Sequence, residues 1–118
     1  MMKMRILLID DEPRWIDFAR RDLDSFEIVV ANSLDEAVTE LEQDRFDLVI
    51  ASSRWLKVLE LIREKYAEKR VMVTTIRPTP EEALSAYRNG AVDYIPKSFA
   101  DRELLEHVRK VVPAAQGA

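Results

Sequence analysis

Short runs of aliphatic and β-branched residues recur along the chain at regular intervals, and each run has the length of a β-strand. They predict strands over residues 5–9, 27–31, 47–51, 71–75 and 92–95. Between the runs, apolar residues recur with helical spacing, as at Leu34, Ala37, Val38 and Leu41. Strands and helices therefore alternate, and the pattern predicts five βα units.

The composition of the strands predicts how they are arranged. The first, third and fourth runs are apolar almost throughout. Such runs are typical of parallel strands that are covered by helices on both faces, whereas an exposed antiparallel sheet alternates polar and apolar residues. The sequence therefore predicts an α/β fold with a doubly wound (βα)5 parallel sheet.

Residues at the expected helix ends agree with this arrangement. Ser33 followed by Glu36 predicts a capping box at the start of the second helix, and Thr79 followed by Glu82 predicts another at the fourth. Gly90 lies where that fourth helix is expected to end in a left-handed residue. The second and fourth helices thus have local start or stop signals.

The length of the chain, 118 residues, fits one domain with a single continuous core. Pro113 is expected to close the last helix, since proline cannot continue one. We therefore predict one domain over residues 1–113 and a tail or linker stub over residues 114–118.

Composition excludes several classes of function. The chain has no cysteine, which excludes disulfides and thiolate zinc sites. Its formal charge of −4, with scattered basic residues, argues against direct nucleic-acid binding. Its two glycines are too few for a phosphate-cradling loop. Its apolar runs are too short for a membrane helix or a signal peptide, so we expect a cytoplasmic protein without membrane contact.

Polar residues whose side chains could bind a ligand or take part in catalysis follow the predicted strands. Asp10 and Asp11 follow the first strand, Ser52 follows the third, Thr74 closes the fourth, and Lys97 follows the fifth. Ligands of open α/β sheets bind beyond the carboxyl ends of the strands. The sequence therefore predicts that an acidic pair, hydroxyl groups and a lysine meet at one edge of the sheet.

Four segments in this order carry a resemblance to a known family. They are ILLIDDEP at residues 6–13, FDLVI at 46–50, GAVDY at 90–94, and Lys97 followed by Phe99. From Met4 to about Val112 the sequence resembles the receiver domains of bacterial two-component response regulators. The resemblance implies the flavodoxin-like strand order 2-1-3-4-5.

The resemblance also implies roles for individual residues. In this family a histidine kinase passes a phosphoryl group to an aspartate at the end of the third strand, beside a bound Mg²⁺. Asp10 and Asp11 match the acids that hold the metal, and Lys97 matches the phosphoryl-binding lysine. Thr74 matches the switch hydroxyl and Tyr94 the switch aromatic residue.

The acceptor aspartate of the family has no counterpart here, because its position falls on Ser52. A serine hydroxyl is neutral and needs a general base before it can accept phosphate. Its presence also removes a carboxylate from a Mg²⁺ site that depends on carboxylate oxygens. We therefore expect no cofactor, with weak Mg²⁺ binding at most, and we interpret Ser52 as a residue of a turn or helix cap.

These observations favour an atypical receiver domain that is not an enzyme and that docks to a protein partner or a fused output domain without being phosphorylated. We expect a monomer or weak homodimer. One alternative is a small phosphatase or hydrolase with Asp10 as its nucleophile. Another is a receiver that is phosphorylated at a non-standard residue.

The acidic pair needs a neighbouring cation if metal is held only weakly, since adjacent carboxylates repel each other. Lys97 is the first candidate for this counter-ion, and Arg54, brought near by a short loop after Ser52, is the second. The alternative is that Lys97 is an ordinary solvated lysine of a loop.

Overall fold

The computed structural model describes residues 3–43 and 46–112. Its strands are β1 (Arg5–Ile9), β2 (Glu27–Ala31), β3 (Leu48–Ser52), β4 (Val71–Thr75) and β5 (Asp93–Pro96). Its helices are α1 (Pro13–Asp22), α2 (Leu34–Gln43), α3 (Leu56–Lys65), α4 (Pro80–Arg88) and α5 (Glu103–Val111). The predicted domain boundary at residue 113 and the predicted tail at 114–118 lie outside the described residues.

The five strands form one parallel sheet in the order β2-β1-β3-β4-β5, which confirms the predicted fold class and strand order. The third and fifth strands begin and end one residue later than predicted. Asp47 accepts a hydrogen bond from Arg5 N on a carboxylate oxygen at 2.8 Å, and the pairing of β3 with β1 starts only at Leu48. Pro96 ends β5, where an edge strand tolerates the missing N–H.

The core has two halves, one on each face of the sheet. Side chains of α1 and α5, such as Trp15 and Leu104, pack on one face. Side chains of α2, α3 and α4, such as Leu41 and Ile62, pack on the other. Successive strand residues point to opposite faces, and both faces are covered, which explains why the central strands are apolar throughout.

The predicted cap of α2 is present with one difference in geometry. Ser33 Oγ accepts a hydrogen bond from Glu36 N at 3.1 Å, as expected. The Glu36 carboxylate accepts from Asn32 N at 2.9 Å, one residue before the expected donor. At the far end of α4, Gly90 has the predicted positive φ, 90°.

Helix α5 takes its cap from α1. Its N-cap residue, Arg102, has a left-handed φ of 68° and makes no side-chain cap of its own. The carboxylate of Asp22, the last residue of α1, accepts from Arg102 N at 2.8 Å and from Leu105 N at 2.9 Å. These bonds satisfy backbone donors that the first turn of a helix leaves unpaired. Asp22 therefore fixes the end of α1 to the start of α5.

None of the helices in the described part of the chain combines the length and the apolarity needed to cross a membrane.

Replacing Asp22 tests this long-range cap. We expect Asp22→Ala to lower the free energy of unfolding by about 1–2 kcal/mol, because it removes a capping carboxylate. Urea denaturation measures the change. Asp24→Ala, which truncates an exposed aspartate two residues further on, is the matched control and is expected to have no effect. Equal losses in the two variants would contradict the assignment.

Candidate functional site

The residues singled out in the sequence lie together at the carboxyl edge of the sheet. Asp10 follows β1, Ser52 ends β3, Thr74 lies in β4 beside Ser52, and Lys97 follows β5. The strand order places β3 and β4 between β1 and β5. The lysine therefore reaches the aspartate across the ends of the two intervening strands.

Asp10 and Lys97 form a buried ion pair. Asp10 is 0% exposed, the Lys97 side chain is 3% exposed, and Lys97 Nζ lies 2.8 Å from Asp10 Oδ2. The same ammonium group lies 2.9 Å from Glu12 Oε1 and 5.8 Å from the centroid of the Trp15 ring. Asp10 Oδ1 accepts from the backbone N–H groups of Asp11, at 2.8 Å, and Glu12, at 3.1 Å. Asp10 Oδ1 is thus hydrogen-bonded to the backbone, and Oδ2 is paired with the ammonium group of Lys97.

The burial of Lys97 contradicts the alternative of a solvated loop lysine. A charged group that loses its contact with water is stable only if other charges and hydrogen bonds replace that contact. Asp10 and Glu12 provide two carboxylates, and the face of Trp15 adds a favourable contact for a cation. The participation of Glu12 was not predicted, although the run of three acids that ends in Glu12 is visible in the sequence.

Asp11 has a different partner from Asp10. Arg54 Nη1 lies 3.0 Å from Asp11 Oδ1, and Nη2 lies 3.5 Å from Oδ2. Their side chains are 60% and 38% exposed, respectively. An ion pair with this much contact with water contributes little to stability. The sequence suggested Lys97 as counter-ion of the acidic pair and Arg54 as a second cation for one of its carboxylates. The structure pairs Lys97 with Asp10 and Arg54 with Asp11. Asp10 is buried and Asp11 reaches the surface, which decides the two partners.

Ser52 and Thr74 place neutral hydroxyl groups at the ends of β3 and β4, the two strands between Asp10 and Lys97. Ser52 O accepts from Trp55 N at 2.9 Å, and Ser52 Oγ accepts from Arg54 N at 3.4 Å, so this serine forms the turn that leads into α3. Thr74 is fully buried, and its hydroxyl has no hydrogen-bond partner among the residues described. Neither residue brings a negative charge to the edge of the sheet.

The side-chain oxygen atoms at this edge, in their present arrangement, do not fit the coordination of a divalent cation. Mg²⁺ prefers an octahedral shell of oxygen atoms that includes carboxylates. The carboxylates of Asp10 and Asp11 are each bonded to a side-chain cation, and Ser52 supplies only a neutral hydroxyl. Residues 3–43 and 46–112 contain no group of three acidic, histidine or cysteine side chains arranged to hold a metal.

Tyr94 connects β5 to the start of α4. Its hydroxyl donates to Glu82 Oε1 at 2.5 Å and accepts from Thr79 N at 3.2 Å. Thr79 Oγ accepts from Glu82 N at 3.1 Å, which is the first hydrogen bond of the predicted capping box. The second bond was expected to join the Glu82 carboxylate to the Thr79 N–H directly. It differs from the prediction, because the tyrosine hydroxyl lies between these two groups.

The surroundings of this network change the acidity of two groups. Burial raises the pKa of Tyr94, and its hydrogen bond to Glu82 raises that pKa further. Burial alone would raise the pKa of Glu82, but hydrogen bonds from Thr75, Tyr94 and Ser53 hold it below its ordinary value. Glu82 is therefore ionised near neutral pH. The sequence suggested only a capping role for it, since nothing in its local pattern indicates contacts with distant strand ends.

Comparison with known proteins gives the family. The family model of the response regulator receiver domain matches residues 6–109. Response regulator MprA of Mycobacterium leprae is 30% identical over 116 residues, which cover 92% of this chain and 51% of that protein. The chain thus spans about half the length of the curated relatives it matches.

Solved structures agree in fold. A response regulator from Thermotoga maritima matches with a TM-score of 0.85 at 27% identity, covering 92% of this chain and 97% of that one. HP1043, an orphan response regulator of H. pylori, matches with a TM-score of 0.79 at 28% identity, covering 91% and 94%. From its sequence and its fold, this chain belongs to the family of response regulator receiver domains.

Proposed function

We propose that this receiver domain works without phosphorylation, as a module that docks to a protein partner or to a fused output domain. The observation that carries the proposal is the end of β3, where Ser52 occupies the position that the family resemblance gives to the acceptor aspartate. An acyl phosphate requires a carboxylate, and among residues 3–43 and 46–112 no general base lies in hydrogen-bond contact with the serine hydroxyl.

The state of Lys97 supports the same proposal. In the family, this lysine binds the oxygens of the transferred phosphoryl group. Here its ammonium group already has two carboxylate partners, Asp10 and Glu12. Turning it towards an incoming group would leave Asp10 buried and unpaired, which is costly. The internal ion pair therefore replaces an external ligand in balancing the charge of the site.

We extend the proposal to the metal. A Mg²⁺ ion at the acidic pair would compete with Lys97 for Asp10 and with Arg54 for Asp11. It would also lack the third carboxylate that an acceptor aspartate provides. Binding of Mg²⁺ is therefore weak at most, and folding does not depend on it.

Two alternatives are less well supported. A phosphatase with Asp10 as nucleophile needs that carboxylate to reach a substrate. Asp10 is fully buried, forms an ion pair with Lys97 and accepts hydrogen bonds from two backbone N–H groups. Phosphorylation of a different residue would require a carboxylate with free access and a nearby cation. Asp11, which is exposed and lies beside Arg54 at the edge of the sheet, is one acid of this kind.

The lengths of the relatives support a protein partner or a fused output domain. This chain covers about half of MprA and of YvrH, which is called a transcriptional regulatory protein of Bacillus subtilis. A second domain in a longer chain, or a separate protein, would provide the output. Leu84, Tyr87 and Val92, which are large apolar residues with exposed side chains near α4 and β5, offer a surface for this contact. We propose a monomer or weak homodimer for the domain alone.

Acetyl phosphate with Mg²⁺ tests the absence of phosphorylation. We expect the intact mass of the domain to stay unchanged, because β3 ends in Ser52 instead of an acceptor aspartate. A receiver domain with its acceptor aspartate, treated in parallel, controls for the activity of the reagent. A stoichiometric gain of one phosphoryl group would refute the proposal. Loss of that gain in Asp11→Asn would identify a non-standard acceptor, and release of phosphate that depends on Asp10 would favour the hydrolase.

Thermal melting tests the role of the ion pair. We expect Lys97→Ala to lower stability by about 3 kcal/mol, because it leaves the buried Asp10 without its cation. The double variant Asp10→Asn/Lys97→Ala should recover part of this loss. Lys110→Ala, at an exposed position of α5, serves as the control and should melt like the wild type.

The same melts with millimolar Mg²⁺ distinguish the ion pair from a metal site. The wild type is expected to keep its Tm when Mg²⁺ is added. A rise of several degrees in the Tm of the wild type with Mg²⁺, together with an unchanged Tm for Lys97→Ala, would mean that the acidic pair is a Mg²⁺ site.

A further inference from the structure

The start of α4 contains a chain of hydrogen bonds with an unusual order. In a capping box, the glutamate of the first turn binds the N–H of the cap residue directly. Here Thr79 N donates to the Tyr94 hydroxyl at 3.2 Å, and that hydroxyl donates to Glu82 Oε1 at 2.5 Å. A side chain of β5 thus completes the cap of α4. The position of the tyrosine ring and the start of the helix depend on the same two bonds.

Hydroxyl groups outside α4 and β5 also affect the Glu82 carboxylate. Those of Thr75, at the end of β4, and Ser53, directly after β3, help to hold its pKa below the ordinary value. The hydroxyl of Thr75 itself donates to Arg77 O at 3.2 Å, so the hydrogen bond from Tyr94 is the contact that ties the Glu82 carboxylate to a strand. Glu82 and Tyr94 are half-buried, so water competes with this bond only in part.

We propose that Glu82 is an internal latch: its carboxylate holds the Tyr94 hydroxyl and the start of α4 in one arrangement without any bound phosphoryl group. This inference rests on the proposed function, because a domain that docks without phosphorylation needs its partner surface in a fixed conformation. Leu84 and Tyr87, two exposed apolar residues of that surface, follow Glu82 on the same helix.

The physical argument concerns what remains when the latch is removed. Without the Glu82 carboxylate, the half-buried hydroxyl of Tyr94 loses its acceptor, and leaving a buried donor unpaired is unfavourable. The ring then gains by turning towards water. The Thr79 N–H loses its partner in the same movement, because its hydrogen bond ends on the tyrosine oxygen. The exchange of this single amide proton therefore reports the position of Tyr94.

Amide hydrogen exchange, followed by NMR on the full chain, tests the latch. We expect Glu82→Ala to lower the protection of the Thr79 amide by about tenfold, the effect of losing one hydrogen bond. Glu81→Ala removes an exposed acid from the same first turn and is expected to leave Thr79 unchanged. The Ala83 amide, which donates to Thr79 O at 3.0 Å, monitors fraying of the helix and should keep its protection in both variants.

Two further variants separate the latch from a general effect on the helix. Glu82→Gln keeps an acceptor oxygen and is expected to retain most of the protection of Thr79. Tyr94→Phe keeps the ring but removes the hydroxyl, and is expected to lose that protection even if Glu82→Ala does not fold. Full protection of Thr79 in Glu82→Ala or in Tyr94→Phe would overturn the inference, as would equal losses in Glu81→Ala and Glu82→Ala.

Failure of the latch and failure of the proposed function give different results. Acetyl phosphate and intact mass, applied to the wild type and to Glu82→Ala, measure phosphorylation alone. A phosphoryl adduct together with loss of Thr79 protection in Glu82→Ala would overturn the proposed function but support the role of Glu82 as a latch. No adduct, together with an unchanged Thr79 amide, would overturn the latch only.

Discussion

The buried ion pair between Asp10 and Lys97 is the constraint on which the carboxyl edge of the sheet depends. Asp10 follows a central strand and is inaccessible to water, so its charge is tolerated only beside a cation. That cation comes from the segment after the edge strand β5. The pair therefore requires the segments after β1 and β5 to meet above the ends of β3 and β4. The neutral hydroxyl groups of Ser52 and Thr74 lie at those intervening ends.

The same lysine links the electrostatics of the edge to the packing of the core. Its ammonium group lies over the ring of Trp15, which is fully buried in α1. Phe99, two residues after Lys97, packs edge-on against Trp15 and against Phe18. The segment after β5 is thus held by an ion pair at one residue and by aromatic contacts at another. Displacing Lys97 from Asp10 would disturb both sets of contacts.

A second network, around Glu82, ties α4 to β5. It differs from the first in that only one group is charged and its partner is the Tyr94 hydroxyl, which in turn accepts from Thr79 N. In each network a charge of the protein itself has its partners inside the protein. An external phosphoryl group or metal ion would have to break existing bonds before it could form new ones. This common feature connects the proposed absence of phosphorylation with the proposed fixed position of Tyr94.

The sequence by itself determined the fold and the place of the site. Apolar runs and helical spacing depend on local chain geometry, so the five βα units, the Ser33 cap and the left-handed Gly90 were predictable, with strand ends accurate to one residue. The convergence of Asp10, Ser52, Thr74 and Lys97 followed from the rule that parallel strands end at one edge. Only the tertiary structure decided which charges pair. Asp10 and Asp11 are adjacent and identical in type, yet one is buried against Lys97 and the other is exposed beside Arg54. Burial and distance across the sheet, which no local pattern encodes, made that difference, and they also brought Tyr94 between Thr79 and Glu82.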